Sequence, residues 1–235
     1  LMTHGTLSHK DSEIITTLQS LFLEQGASSL AVNLGLGISE RRGTFDCSLP
    51  HTHRLDDAIG ELSAWLQELE KRSVKQVVAL GHSRGANQAA RFTAAVASPL
   101  VRAQVLVAPP AGNPGTAPAA YADELATARS YIDQGEPEAR MNLPRFLYCN
   151  NAEVSAESLV SYYGADPRRD TRTLLGDGAV PTLVVVGSED ETTPGLEQAY
   201  ADLAAEPQVE LLVIDGADHF FRDLYADDLV DAAMD

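Results

Sequence analysis

A serine flanked by two glycines stands between a strand-like and a helix-like stretch of the sequence. The segment Gly81-His82-Ser83-Arg84-Gly85 follows an apolar run at 77–80 and precedes an alanine-rich run that continues to about residue 97. A strand, a five-residue turn and a helix are the context that the pattern G-x-S-x-G requires. Such a turn strains the serine and lifts its hydroxyl above the sheet, while the glycines let strand and helix approach. Ser83 is the predicted nucleophile; the alternative is a glycine-rich turn with an incidental serine.

A serine hydroxyl becomes a good nucleophile only when a base removes its proton and a third group orients that base. His219 follows the apolar run 211–214, so we expect it at the same sheet edge as Ser83. Asp190 lies in the loop after the apolar run 184–186, far enough from the strand for its side chain to turn toward His219. These residues are the predicted base and orienting acid.

Each assignment has an alternative. Glu189 or Glu191 could replace Asp190 as the orienting acid, or the acidic turn could simply be solvated. A lone loop histidine is usually a surface residue, and Asp218 is expected only to shape the turn beside His219.

Acyl transfer also needs two hydrogen-bond donors that face the developing oxyanion. One predicted donor is the backbone N–H of Arg84, directly after the serine. The other is expected from the loop after the first strand, either the N–H of Thr6 or that of Leu7. Gly5 lets this backbone approach closely, and His4 is expected to support the loop from beneath.

A second group of polar residues superficially suggests a metal site. His51 and His53 lie near Asp46, Asp56 and Asp57, but their spacing matches no metal-binding pattern. We expect a solvated loop and a helix cap there, and we predict neither a metal nor another cofactor.

Composition limits the possible partners. The 17 Lys and Arg residues against 34 Asp and Glu residues give a net charge of −17, which repels nucleic acid and anionic membrane surfaces. No apolar run approaches the length of about 18 residues that membrane insertion needs, and the N-terminus shows no signal-peptide pattern. The two cysteines, Cys47 and Cys149, are expected to be reduced thiols in a cytoplasmic protein. We expect a monomer or homodimer that binds a small molecule.

Strands and helices alternate along most of the chain, which predicts an α/β fold with a mostly parallel sheet covered on both faces. Strands are predicted near 1–3, 29–33, 77–80, 101–108, 181–187 and 209–214, and helices near 10–25, 55–71, 86–97, 119–134, 195–204 and 220–233. The core comprises 1–110 and 181–235. Residues 111–180 interrupt this rhythm as an insertion, with a loop at 111–118 and an irregular, aromatic stretch at 143–163.

Six aromatic residues fall in the insertion, outside the predicted sheet. They suggest the wall of an apolar substrate pocket, although they could equally attach the insertion to the core. The predicted pocket residues are Tyr121, Phe146, Tyr148, Tyr162 and Tyr163.

Together, His4-Gly5, the segment 81–85, Asp190 and His219 resemble the α/β-hydrolase superfamily, whose catalytic residues follow the order Ser, Asp, His. The insertion resembles the cap that follows the sixth strand in bacterial serine esterases of the monoacylglycerol-lipase and serine-aminopeptidase-like group. One departure concerns the N-terminus. The superfamily sheet normally begins with two strands and most of a third before the His-Gly loop, so N-terminal strands are expected to be missing or trimmed.

The resemblance implies a serine hydrolase that cleaves carboxylic esters of small to medium, uncharged substrates through an acyl-enzyme. Two alternatives stay open at this point. One is a ligand-binding protein of the same fold without catalysis, and the other is an acyltransferase with the same three residues.

Overall fold

A six-stranded parallel sheet forms the centre of the protein in its computed structural model, which describes residues 1–112, 118–176 and 180–235. Its strands are β1 (Met2–Thr3), β2 (Ala31–Val32), β3 (Val77–His82), β4 (Val101–Val107), β7 (Thr182–Gly187) and β8 (Val209–Ile214). Their spatial order is β2-β1-β3-β4-β7-β8. β1 is the short strand beside β3, and it pairs with only Leu80 and Gly81 of that strand.

Seven α-helices among the described residues accompany the sheet, and α1–α7 and α2–α3 pack as pairs. Most are amphipathic, so each buries an apolar stripe and exposes a polar one. The bounds are α1 (Glu13–Glu24), α2 (Asp57–Lys71), α3 (Arg84–Val96), α4 (Ala122–Asp133), α5 (Ala156–Tyr163), α6 (Leu196–Ala201) and α7 (Tyr225–Met234). Short 3-10 segments cover Ala119–Tyr121, Pro167–Arg169, Thr171–Leu174 and Asp202–Ala205. Within the described ranges, none of the helices is long and apolar enough to cross a membrane.

The insertion between β4 and β7 is more regular than the sequence predicts. An antiparallel hairpin, β5 (Arg140–Phe146) and β6 (Cys149–Ser155), leads directly into α5. The expectation of an irregular stretch at 143–163 is therefore wrong. Polar residues dominate the exposed positions of both strands, so their sequences lack the apolar runs of the central sheet. Of the predicted loop at 111–118, residues 113–117 lie outside the described residues.

The last helix begins later than predicted. Residues 220–224 form a loop, because Phe221 and Asp223 adopt positive φ angles of 48° and 56° that a helix does not allow. This loop contributes to the candidate site described below.

Cys47 and Cys149 form a disulfide bond, so the expectation of two reduced thiols is wrong. The two cysteines are 102 residues apart in the sequence, but their Cα atoms lie 5.3 Å apart in the structure. The bond joins the loop after β2 to the start of β6. Backbone hydrogen bonds between His51 and β6 reinforce the same junction. The cysteines thus lend no support to a cytoplasmic location.

Candidate active site

Ser83 occupies the sharp turn between β3 and α3 with a strained backbone. Its φ and ψ are 55° and −124°, a combination that non-glycine residues rarely adopt. Glycines make the turn possible: a Cβ on Gly81 would overlap the carbonyl of Gly85, and one on Gly85 would overlap the backbone of Thr3 and His4. The local sequence thus presents the Ser83 side chain at the carboxyl end of the sheet.

His219 and Asp190 meet at the same end of the sheet. The Nδ1–H of His219 donates to Oδ2 of Asp190 at 2.7 Å, and both side chains are almost fully buried. His219 lies in the loop after β8, and Asp190 lies in the loop after β7. The two loops approach closely because Gly187 has no side chain to collide with the carbonyl of Ala217.

Asp190 is held on both oxygens. Its Oδ1 accepts the backbone N–H groups of Thr192 and Thr193 at 2.9 and 2.8 Å. Its Oδ2 accepts the Thr193 hydroxyl at 2.7 Å besides the proton of His219. Burial by itself raises the pKa of Asp190, but the hydrogen bonds from His219 and Thr193 outweigh it and lower the pKa below its ordinary value. The carboxylate is therefore ionised and fixes a proton on Nδ1 of His219.

His82 supports the histidine loop from within the sheet. Burial lowers its pKa to about 4, so the ring is neutral, and its Nε2–H donates to the backbone carbonyl of His219 at 2.9 Å. Asp218 shapes the same loop by accepting the N–H of Phe220 at 2.9 Å. Glu189 and Glu191, the alternative acids, are both exposed.

A cavity of about 430 Å³ opens beside these residues, and both Ser83 and His219 line it. It extends between the first turn of α1 and the loop before α7. Its wall contains both polar and apolar groups, including Ser12, Glu13, Ile14, Thr17, Tyr148, Phe220, Arg222 and Asp223. The arrangement gives Ser83 an accessible space for a small organic substrate.

The loop after β1 forms a turn beside this cavity. Ser8 N–H donates to the Gly5 carbonyl at 3.2 Å, and Thr6 and Leu7 occupy the centre of the turn. Across the described residues, no acceptor takes the backbone N–H of Thr6, Leu7 or Arg84. Thr6 lines the cavity, whereas the side chain of Leu7 is buried away from it. The unpaired N–H groups of Thr6 and Arg84 stay the predicted oxyanion donors, with the N–H of Leu7 as the alternative to that of Thr6.

The five predicted pocket aromatics separate into two groups. Among them, Tyr148 alone lines the cavity beside Ser83, at the tip of the β5–β6 hairpin. Phe146 and Tyr162 are buried between the insertion and the core, and Tyr121 and Tyr163 stack on each other at 4.5 Å. The structure does not bring these four to that cavity, because their rings hold the insertion together and attach it to the core.

The two histidines of the possible metal group are buried, so the expectation of a solvated loop is wrong for them, and they contact each other and the insertion. His51 Nδ1 lies 3.1 Å from His53 Nε2, and His53 Nδ1 lies 2.8 Å from the Tyr162 hydroxyl. Over the ranges that the structure describes, no group of three or more His, Cys, Asp or Glu side chains is arranged to hold a metal ion.

Sequence reasoning missed two residues that shape the site. Thr193 follows Asp190 by three positions, and an aspartate that accepts N–H groups two and three residues later is a recognisable turn pattern. His82 gave no such signal, because its partner is a carbonyl 137 residues away.

Comparison with known proteins assigns the chain to a family. The sequence profile of the alpha/beta hydrolase family matches residues 1–232. No curated protein sequence is significantly similar to the chain.

Many solved structures share the fold. Est1E from Butyrivibrio proteoclasticus with bound ferulic acid gives a TM-score of 0.65 at 17% identity, over 99% of this chain and 86% of that one. An esterase of Pyrococcus furiosus gives 0.60 at 18% identity, over 99% and 78% of the two chains. A monoacylglycerol lipase of Paleococcus ferrophilus gives 0.57 at 14% identity, over 99% and 90%. At these identities the likeness concerns the fold.

Proposed function

The chain belongs to the alpha/beta hydrolase family, and we propose that it is a serine hydrolase that cleaves carboxylic esters through an acyl-enzyme intermediate. One observation carries the proposal. The buried pair Asp190–His219, joined at 2.7 Å, opens onto the same cavity as the strained Ser83. A protein that only binds a ligand has no need of an oriented, buried base beside a serine.

The reaction follows from the roles of these side chains. Nε2 of His219 removes the hydroxyl proton as Ser83 attacks the ester carbonyl, and Asp190 holds Nδ1–H and stabilises the imidazolium. The backbone N–H groups of Thr6 and Arg84 bind the oxyanion. His219 then gives its proton to the leaving alcohol, and water releases the acyl group by the same route.

The cavity favours substrates of small to medium size without a net negative charge. Its volume of about 430 Å³ lies in the lower part of the range for small-molecule sites. Tyr148, Phe220 and Ile14 supply apolar surface, and the protein's net charge of −17 repels anions. The solved structures of the same fold include an esterase of Pyrococcus furiosus, and that of Est1E from Butyrivibrio proteoclasticus contains bound ferulic acid. This makes ester substrates the first class to test.

We further propose that the insertion at 111–180 acts as a cap over the core formed by 1–110 and 181–235. The support is the position of the β5–β6 hairpin, since Tyr148 at its tip lines the cavity that contains Ser83. Leu147, the neighbouring tip residue, is buried near the turn that carries Thr6.

A panel of p-nitrophenyl esters with graded acyl chains tests the proposal on wild type and Ser83→Ala. We expect hydrolysis by the wild type, with a preference for short and medium chains, and a loss of at least about 10³-fold in Ser83→Ala. Equal hydrolysis by the two proteins would refute the assignment of Ser83. Absence of hydrolysis together with tight binding of an apolar ligand would favour a binding protein. Faster product formation with an added alcohol, at the expense of free acid, would favour acyl transfer.

A further inference from the structure

Arg41 is a buried cation without a carboxylate in contact. It lies in the long loop between β2 and α2, and only 8% of its surface is exposed. Among the described residues, no acidic oxygen lies within ion-pair distance of its guanidinium, and the charge of Glu61 acts on it only from farther away. Four neutral acceptors surround it instead: the Leu34 carbonyl at 2.8 Å, the Gly43 carbonyl at 2.5 Å, His4 Nε2 at 3.1 Å and Asn33 Oδ1 at 3.3 Å.

Burying a charge without a counter-ion is costly, and it is tolerated only where hydrogen bonds satisfy the group. A planar guanidinium suits this site because its fork reaches several fixed acceptors at once. Arg42 is the opposite case, since its side chain is exposed and forms no contact of this kind among the described residues. Because the guanidinium of Arg41 is buried, a role as a solvated surface charge does not explain this residue.

His4 is the first link between Arg41 and the candidate site. Its Nε2 accepts the backbone N–H of Leu34 at 3.2 Å and faces the Arg41 guanidinium, which carries only donors. The ring proton must then lie on Nδ1, which donates to the Gly5 carbonyl at 2.9 Å. Burial lowers the pKa of His4 to about 4, and the nearby charges of Arg41 and His9 contribute to the lowering, so the ring stays neutral.

A second link reaches the other end of the same turn. Arg41 Nη1 donates to the Gly43 carbonyl, and two residues later the N–H of Phe45 donates to the Leu7 carbonyl at 2.9 Å. Leu7 has a positive φ of 55°, a conformation that a leucine keeps only when its surroundings enforce it. The turn is thus tied at Gly5 through His4 and at Leu7 through the loop that Arg41 organises.

We infer that Arg41 is a positioning residue for the proposed reaction: through His4 and the Gly43–Phe45 segment it fixes the turn whose Thr6 N–H binds the oxyanion. The inference rests on the proposed function, since the turn matters for catalysis only if an oxyanion forms beside Ser83. It makes Arg41 important for stabilising the transition state and unimportant for binding the substrate in its ground state.

The test compares kcat and KM for p-nitrophenyl acetate in Arg41→Gln, Arg41→Lys and the matched control Arg42→Gln. A misplaced oxyanion donor lowers kcat without changing ground-state binding, and loss of a whole donor costs about 10²- to 10³-fold. We expect kcat of Arg41→Gln to fall about 10- to 100-fold with KM within about twofold of wild type. Arg41→Lys keeps the charge but lacks the fork, so a smaller fall is expected. Arg42→Gln is expected to match the wild type.

A kcat for folded Arg41→Gln equal to that of Arg42→Gln would overturn the inference, as would a rise in KM at constant kcat. If circular dichroism shows that Arg41→Gln does not fold, the same comparison is made with Arg41→Lys, and a kcat equal to that of Arg42→Gln would then overturn the inference. ¹⁵N NMR of the His4 ring in the wild type adds a readout that needs no activity. A proton on Nδ1 supports the inference and one on Nε2 overturns it. Loss of the proposed function itself has a different signature, namely wild-type activity that survives Ser83→Ala.

Discussion

Replacing Asp190 by asparagine reverses one hydrogen bond at the centre of the candidate site. The Oδ1 position of Asp190 faces two N–H donors, those of Thr192 and Thr193, so it accepts only an oxygen. The amide NH₂ introduced by Asp190→Asn must then occupy the Oδ2 position, where it donates to Nδ1 of His219. The ring responds by carrying its proton on Nε2, the nitrogen that has to accept the proton of Ser83.

The size of the effect follows from this reversal. In serine proteases with the same three residues, replacing the aspartate by asparagine leaves the geometry intact but holds the histidine in the wrong tautomer. This substitution lowers kcat by about 10⁴-fold. A loss of about 10⁴-fold corresponds to about 5.5 kcal/mol of transition-state stabilisation. We expect a comparable loss here, because the 2.7 Å bond between Asp190 and His219 is short and shielded from water.

The assay is steady-state hydrolysis of p-nitrophenyl acetate by Asp190→Asn, with circular dichroism to confirm the fold. Glu189→Gln and Glu191→Gln are matched controls, because they remove one acidic charge from the same loop at exposed positions. Both controls are expected to stay within about threefold of the wild type, as surface substitutions usually do. An Asp190→Asn protein that retains more than about a tenth of wild-type kcat would contradict this role of Asp190, as would an equal loss of activity in either control.

Two further predictions concern stability. Thiol titration of the unfolded, non-reduced protein is expected to detect no free cysteine, and two titratable thiols would contradict the disulfide. Reduction of the bond between Cys47 and Cys149 is expected to lower the free energy of unfolding by about 2–5 kcal/mol, because the bond closes a long loop. Acid is expected to destabilise the protein, because burial depresses the folded-state pKa of four histidines. As the pH falls, these histidines are protonated in the unfolded chain at a higher pH than in the folded protein. Urea unfolding should therefore show a free energy that falls as the pH drops from about 6.5 toward 4, by up to about 1.4 kcal/mol per pH unit for each histidine; a constant free energy over that range would contradict the burial. The depressed pKa values are about 4 for His4, His51 and His82 and about 3 for His53.

The sequence predicted the central sheet and the neighbourhood of Ser83 well, because buried parallel strands appear as short apolar runs that end in recognisable turns. His219 and Asp190 were found by the same logic, since each follows such a run and the carboxyl ends of parallel strands share one edge. Their hydrogen bond is an observation of the structure, and their catalytic roles stay predictions.

What the sequence could not reveal depends on contacts between distant segments. The disulfide joins residues 102 positions apart, and the hairpin of the insertion has mostly polar residues at its exposed positions, so it lacks the apolar runs that mark the central strands. The contact of Arg41 with His4 joins residues 37 positions apart, and Arg41 lies in a loop whose path no periodicity determines. The aromatic residues of the insertion allowed both a pocket wall and attachment to the core, and the sequence could not separate the two, because packing of a small insertion needs large rings as much as a pocket does.

Reaction with a fluorophosphonate probe, followed by mass mapping of the modified peptide, tests the central claim most directly. The account predicts a single adduct on Ser83 in the wild type and no adduct in Ser83→Ala. A wild-type protein that hydrolyses esters but carries the adduct elsewhere, or a Ser83→Ala protein that is still labelled, would contradict it.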